Sequence, residues 1–153
     1  MDYHSIVTYE NSQSWPQWID LLLAVFAIGM FSLSAYLLRT GEPVWASLFI
    51  LFWSGLLYLV LLNFSRLRCT VTPSSVELGW RLGWPTKAID RGSIVAMAPR
   101  RNAWYAGWGV RKVSRGWMWN VWGLDAVELE LDSGRVFRIG TDDVDGLLAA
   151  LAR

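Results

Sequence analysis

Hydrophobic positions along this chain first run on without a break and then alternate, and the change of pattern divides the molecule. Two apolar runs without a charged side chain, Leu21 to Leu38 and Val44 to Phe64, are separated only by Arg39-Thr40-Gly41-Glu42-Pro43. Eighteen helical residues reach about 27 Å, close to the hydrocarbon thickness of a bilayer. A charge near mid-membrane would cost about 2.5–3.5 kcal/mol on insertion scales. The short link with Gly41 and Pro43 permits only a tight reversal. The pattern predicts a tail over 1–18 and a transmembrane helical hairpin over 19–64, with spans at about 19–38 and 44–64. A cleaved signal peptide does not fit, because Asp2, Glu10 and Asp20 precede Leu21 with no Lys or Arg, and Leu38-Arg39-Thr40-Gly41 is no small-residue cleavage site. Nor does a buried hairpin of a soluble protein, since so many apolar residues would need far more chain around them.

Beyond Phe64 the period shortens to two. Arg68 to Thr72 is β-branched and extended, and Pro73-Ser74-Ser75 is turn chemistry. Val76 to Trp80 alternates apolar and polar, the mark of a half-buried strand. Lys87-Ala88-Ile89 and Ile94 to Met97 predict further strands, and Trp108 to Val113 with Trp117 to Trp122 an aromatic-rich pair. The clearest hairpin joins Val127 to Leu131 with Arg135 to Ile139. A two-residue turn would oppose Leu129 to Arg138 and mix the two faces. A three-residue loop with Gly134 left-handed instead pairs Leu129 with Phe137, Val127 with Ile139 and Glu128 with Arg138. Then Thr141 or Asp142 can cap a helix whose apolar stripe is Val144, Leu147, Leu148 and Leu151. Residues 65–153 thus read as a small α+β domain, an antiparallel sheet of six or seven strands closed by one helix.

Several spaced blocks in this region carry a resemblance: Gly107-Trp108-Gly109-Val110-Arg111, Trp119-Asn120-Val121-Trp122-Gly123, Ala126-Val127-Glu128-Leu129, Gly134-Arg135, and Ile139-Gly140-Thr141-Asp142 before the Leu-rich helix. In that order they resemble the bacterial pleckstrin-homology-like (PH-like) domain family. Many of its members are membrane proteins with two N-terminal helices. The likeness covers roughly Arg66 to Arg153. Where that family commonly has a Tyr-Asn-Val-Ser-Gly block, this chain has a second tryptophan, Trp122, which makes the surface more apolar. The resemblance implies a split or closed β-barrel with a capping helix, used as a binding and scaffolding platform and tied to no one activity.

Charge sets the expected orientation. Arg66 and Arg68 follow the second span at once, with Arg81 and Lys87 further on, whereas Arg39 in the turn is balanced by Glu42. The positive-inside rule places the C-terminal domain, and with two spans the N-terminal tail, on the cytoplasmic side of an inner membrane. Trp15, Trp18, Tyr36 and Trp45 suit interfacial aromatic belts. From Ser65 onward thirteen Lys and Arg stand against nine Asp and Glu, a net +4 within a chain of +1. The one cysteine, Cys69, excludes an internal disulfide and reads as a buried strand residue. Inside the bilayer, the small residues Gly29, Ser32, Ser47, Ser54 and Gly55 are expected to pack the two helices together.

Catalytic chemistry has little to work with. The one histidine is His4, in the tail, so no Ser-His or Cys-His pair can be built on the folded domain and no metal cluster is available. Asp142, Asp143 and Asp145 read as the acidic start of a helix, and Glu128, Glu130 and Asp132 as a solvated strand face. No enzyme, cofactor or nucleic-acid partner is expected. What remains is the stretch from Arg100 to Trp122, where Arg100, Arg101, Arg111, Lys112 and Arg115 interleave with Trp104, Tyr105, Trp108 and further tryptophans without an acid. Three readings stay open: a barrel core with a solvated basic face, a surface for anionic lipid headgroups, or a protein-binding patch. The expected role is a membrane-tethered, non-catalytic interaction module for a protein partner or lipid. The alternative is an accessory subunit of a larger membrane complex, or of a homo-oligomer, joined through its spans.

Overall fold

The computed structural model describes residues 7–153 and divides them into two compact units, residues 15–63 on one side and residues 7–14 with 64–153 on the other. Asp2 and His4 lie outside the described residues.

The first unit is the helical pair, α1 (Gln17–Arg39) and α2 (Val44–Asn63). Both helices are long and apolar enough to cross a membrane, and only 6% of the most apolar stretch of each is buried. That exposure separates them from the core helices of a soluble domain. At the turn, the Thr40 amide donates to Tyr36 O at 3.0 Å and the Thr40 hydroxyl to Leu37 O at 3.0 Å, closing the end of α1. The helix–helix contact is held by an exchange between buried serines: Ser47 Oγ donates to Ser34 O at 3.1 Å and Ser34 Oγ to Ser47 O at 3.4 Å. The expected small-residue contact is therefore only partly met. Ser32 faces outward, Ser54 turns back on its own helix at Ile50 O, and a Cβ on Gly29 or Gly55 would meet no atom within 4 Å. A buried hydroxyl needs a carbonyl, and Ser34 and Ser47 find each other's.

The second unit holds nine described strands in two open sheets, more than the six or seven expected. One is fully antiparallel, ordered β1 (Tyr9–Ser14), β2 (Arg66–Val71), β3 (Ser75–Trp80), β4 (Thr86–Asp90). The other runs β5 (Ile94–Arg101), β8 (Asp125–Leu131), β9 (Val136–Gly140), β7 (Gly116–Asn120), β6 (Gly109–Val113), with β7 and β9 parallel. The sheets do not close into a barrel. One of the additional strands, β1, comes from the segment expected to be a tail. Its sequence is polar, and side-chain hydrogen bonds fasten it. Gln13 is buried, its amide donates to Trp122 O at 2.6 Å, and its carbonyl accepts from the Val121 amide at 2.9 Å. Asn11 donates to Asp142 at 2.9 Å and Tyr9 to Asp143 at 3.0 Å. A strand of the first sheet is thereby strapped to the end of the second. Burial, with Asp143 beside it, pushes the Tyr9 hydroxyl up to about 12.

The core lies between the sheets and under α3 (Val144–Leu151). Leu67, Val71, Val76, Leu78 and Ile89 come from the first sheet, and Met118, Val127, Leu129, Phe137 and Ile139 from the second. An aromatic series crosses it, from Phe64 to Trp80 (4.7 Å between rings), Trp119 (5.7 Å) and Phe137 (5.8 Å). Cys69 is buried in β2, and desolvation raises its thiol to about 12. The β8–β9 hairpin has the register argued from its pattern: Leu129 opposes Phe137, Val127 opposes Ile139 and Glu128 opposes Arg138, with Gly134 at φ 72°. The cap of α3 differs from expectation. Asp143, not Thr141 or Asp142, accepts the Gly146 amide (2.9 Å), while Thr141 Oγ1 accepts the Asp143 amide (3.0 Å) and Asp142 is taken by Asn11. Arg91 closes the other end of α3, donating to Leu151 O at 2.9 Å and Thr72 O at 3.0 Å.

Candidate functional site

The stretch from Arg100 to Arg115 does not form one basic surface. β5 and β6 are opposite edges of the five-stranded sheet, and four strand spacings set them about 19 Å apart. Arg100 and Arg101 lie on β5, which continues four residues past the Met97 end expected for it. Pro99 is tolerated there because β5 is an edge strand. Arg111 and Lys112 lie on β6, and Arg115 in the β6–β7 turn. Between the edges runs a crossing segment with a 3-10 turn at Trp104–Ala106.

The neighbouring strand neutralises much of the charge. Arg100 pairs with Glu128 at 3.1 Å, Arg101 with Asp125 at 3.7 Å and Arg115 with Glu130 at 3.1 Å. These acids come from β8, far along the chain, so a window of sequence without an acid becomes a surface with three. Glu128, expected on a solvated face, is 9% exposed and bound by two guanidinium groups, Arg138 at 2.6 Å and Arg100. Arg138 also donates to Asn102 Oδ1 at 3.3 Å, which ties the start of the crossing segment to β9.

Burial alone would raise the Glu128 carboxyl, but hydrogen bonds from Arg138 and Arg100 outweigh it and hold the group below its ordinary 4.5. A carboxyl lowered by folding stabilises the fold above its unfolded value and loses that contribution as pH falls through the folded value. The fold of the full chain in detergent should therefore weaken on acidification below about pH 4.5. Glu128→Gln should flatten that acid limb in thermal melts between pH 7 and pH 3. An unchanged acid limb would show that Glu128 is not the group responsible.

Of the five basic residues, Arg111 and Lys112 are left without an ion pair among the described residues, and Arg111 adjoins an aromatic cluster. Trp104 is 82% exposed, Tyr105 77% and Trp108 52%. Trp104 and Tyr105 meet edge to face at 5.9 Å, and Trp108 stacks on Trp122 at 4.8 Å and 15°. Arg111 Nε donates to Trp108 O at 3.0 Å, and its guanidinium would lie 3.2 Å from a Cβ added to Gly107 (φ 74°). Lys112 stands opposite Trp117, itself half exposed, while Met118 and Trp119 on the same strand are buried. The aromatics thus divide between core and surface.

The sequence matches no family model and no curated protein.

Sequence reasoning used Arg66, Arg68 and Arg81 only to orient the spans. In the fold they line one hollow of about 240 Å³ on the first sheet with Gly79, Trp80 and Gly83. The signal was available: arginines two apart on a strand share a face, and a strand glycine leaves room above it. Among the described residues no group of three or more His, Cys, Asp or Glu is placed to hold a metal. Asp142 and Asp143 are engaged by Asn11, Tyr9 and the helix cap.

Proposed function

We propose that the chain is a membrane-tethered, non-catalytic interaction module of PH-like type, its helical pair crossing an inner membrane and its β domain holding a protein partner on the cytoplasmic side. The observation that carries this is the exposure of Trp104, Tyr105 and Trp108, with Arg111 bonded to the Trp108 carbonyl. Large rigid aromatics with arginine are the anchors of protein interfaces. Leaving three of them in water needs a reason, which a partner provides. A lipid role for this cluster is less well supported, because Arg100, Arg101 and Arg115 are already balanced by acids.

A second reading has its own support. Gly29 and Gly55 leave open space on the helical pair, where another helix could approach closely. An accessory subunit of a membrane complex, or a homo-oligomer, would be joined there. Quantitative cross-linking of the full chain in native membranes separates the two. Trp104→Ala with Trp108→Ala and Lys112→Glu should lower the yield of cross-linked partner by about tenfold or more, as expected on losing interface anchors. All three side chains are exposed, so the fold should survive. Undiminished cross-linking would move the contact to the helices.

A further inference from the structure

We infer that the hollow lined by Arg66, Arg68 and Arg81 binds the phosphate of an anionic lipid headgroup in the membrane that α1 and α2 cross. Register builds the hollow. Arg66 and Arg68 alternate with buried Leu67 and Cys69 on β2, and Arg68 stands opposite Gly79 of β3. Two residues on, Arg81 completes the group on the same outer face, its guanidinium reaching Ser65 Oγ at 3.2 Å. Because Gly79 has no side chain, the space between the arginines stays open, with Thr86 at 3.9 Å the nearest atom to an added Cβ. The volume, about 240 Å³, is below that of pockets for drug-sized ligands and suits a headgroup rather than an acyl chain.

Among the described residues the one carboxylate found on these arginines is Glu10, 3.4 Å from Arg68, with both side chains at least half exposed. Three arginines lining one hollow repel one another until an anion lies between them, and planar forks of donors match phosphate oxygens. Chain connection supplies the source of that phosphate. Arg66 is the third residue after Asn63, the end of α2, so a fully extended link would span only about 11 Å. The turn after β3 then exposes Leu82 (59%) and Trp84 (75%) next to the same arginines. A tryptophan and a leucine beside arginines fit the headgroup layer, where basic residues attract anionic lipid.

This inference rests on the reading of α1 and α2 as membrane spans, and the test keeps the two apart. The full chain is reconstituted in phosphatidylcholine nanodiscs containing phosphatidylglycerol, and lipid retained on the released protein is counted by native mass spectrometry. Wild type should keep phosphatidylglycerol, and Arg66→Gln/Arg68→Gln/Arg81→Gln should keep about tenfold less or lower still. The triple variant should melt like wild type, since all three side chains are exposed. If it does not, the single change Arg66→Gln, which breaks no side-chain hydrogen bond or ion pair found among the described residues, must reduce retention by itself. Equal retention in wild type and variant would overturn the site. Displacement of the lipid by millimolar inorganic phosphate would overturn the lipid assignment in favour of a soluble phosphate. Release of wild type from vesicles by alkaline carbonate would instead bring down the membrane reading beneath both.

Discussion

Gly116→Ala should abolish the folded β domain. Gly116 opens β7 and stands opposite Val136 in the parallel β7–β9 pairing. A Cβ there would run into the Val136 carbonyl oxygen and crowd that residue's carbonyl carbon and amide nitrogen. These are backbone atoms, so no rotamer change relieves the clash. The two strands must part, and the Val136 amide loses its bond to Arg115 O at 3.1 Å. An effect of about 4 kcal/mol or more is expected, a large share of the 5–15 kcal/mol that holds a typical domain together. Gly79→Ala is the matched control, because its Cβ would meet only Thr86 at ordinary contact distance. Thermal melts of the full chain in detergent should show no cooperative domain transition for Gly116→Ala and a near-normal one for Gly79→Ala. A normal melt for Gly116→Ala would refute the parallel register.

The second large effect concerns the helices. Gly55 lies near the middle of α2, and a side chain there would meet nothing within 4 Å. Sterics are therefore silent, and only the surrounding medium decides the outcome. Gly55→Leu should insert at least as well as wild type, since leucine favours both helix and hydrocarbon. Gly55→Arg should cost about 2.5–3.5 kcal/mol, roughly 70- to 370-fold in an insertion equilibrium. Glycosylation-tagged insertion assays read this directly. If both variants inserted equally, α2 would not be surrounded by hydrocarbon.

Much of this architecture could be read from the chain because it is written in local pattern. The two long helices show in unbroken apolar runs, and the β8–β9 register in the alternation of Val127, Leu129, Phe137 and Ile139 around a glycine that can turn left-handed. What local pattern could not carry is pairing between distant segments. β1 has no apolar stripe to betray it, and Tyr9, Asn11 and Gln13 fasten it through partners more than a hundred residues away. The parallel β7–β9 contact places β7 beside a strand that follows it only after β8.

Pairing between distant segments also shapes the candidate surface. Arg100 to Arg115 has no acid in sequence, yet Asp125, Glu128 and Glu130 reach it across the sheet. Nor could alternation separate Trp117 from Trp119. They share a strand and a face by spacing, but Trp119 meets Trp80 and Phe137 while Trp117 stays half exposed. The arginine hollow needed both kinds of information, the local spacing of Arg66 and Arg68 and the cross-strand placement of Gly79 opposite Arg68.

Everything proposed for the β domain assumes that α1 and α2 anchor it in a bilayer. Extraction of native membranes with alkaline carbonate tests that most directly, because it strips proteins held by charge and leaves those inserted in hydrocarbon. The full chain should stay in the pellet and leave it only with detergent. Recovery in the carbonate supernatant would contradict the account.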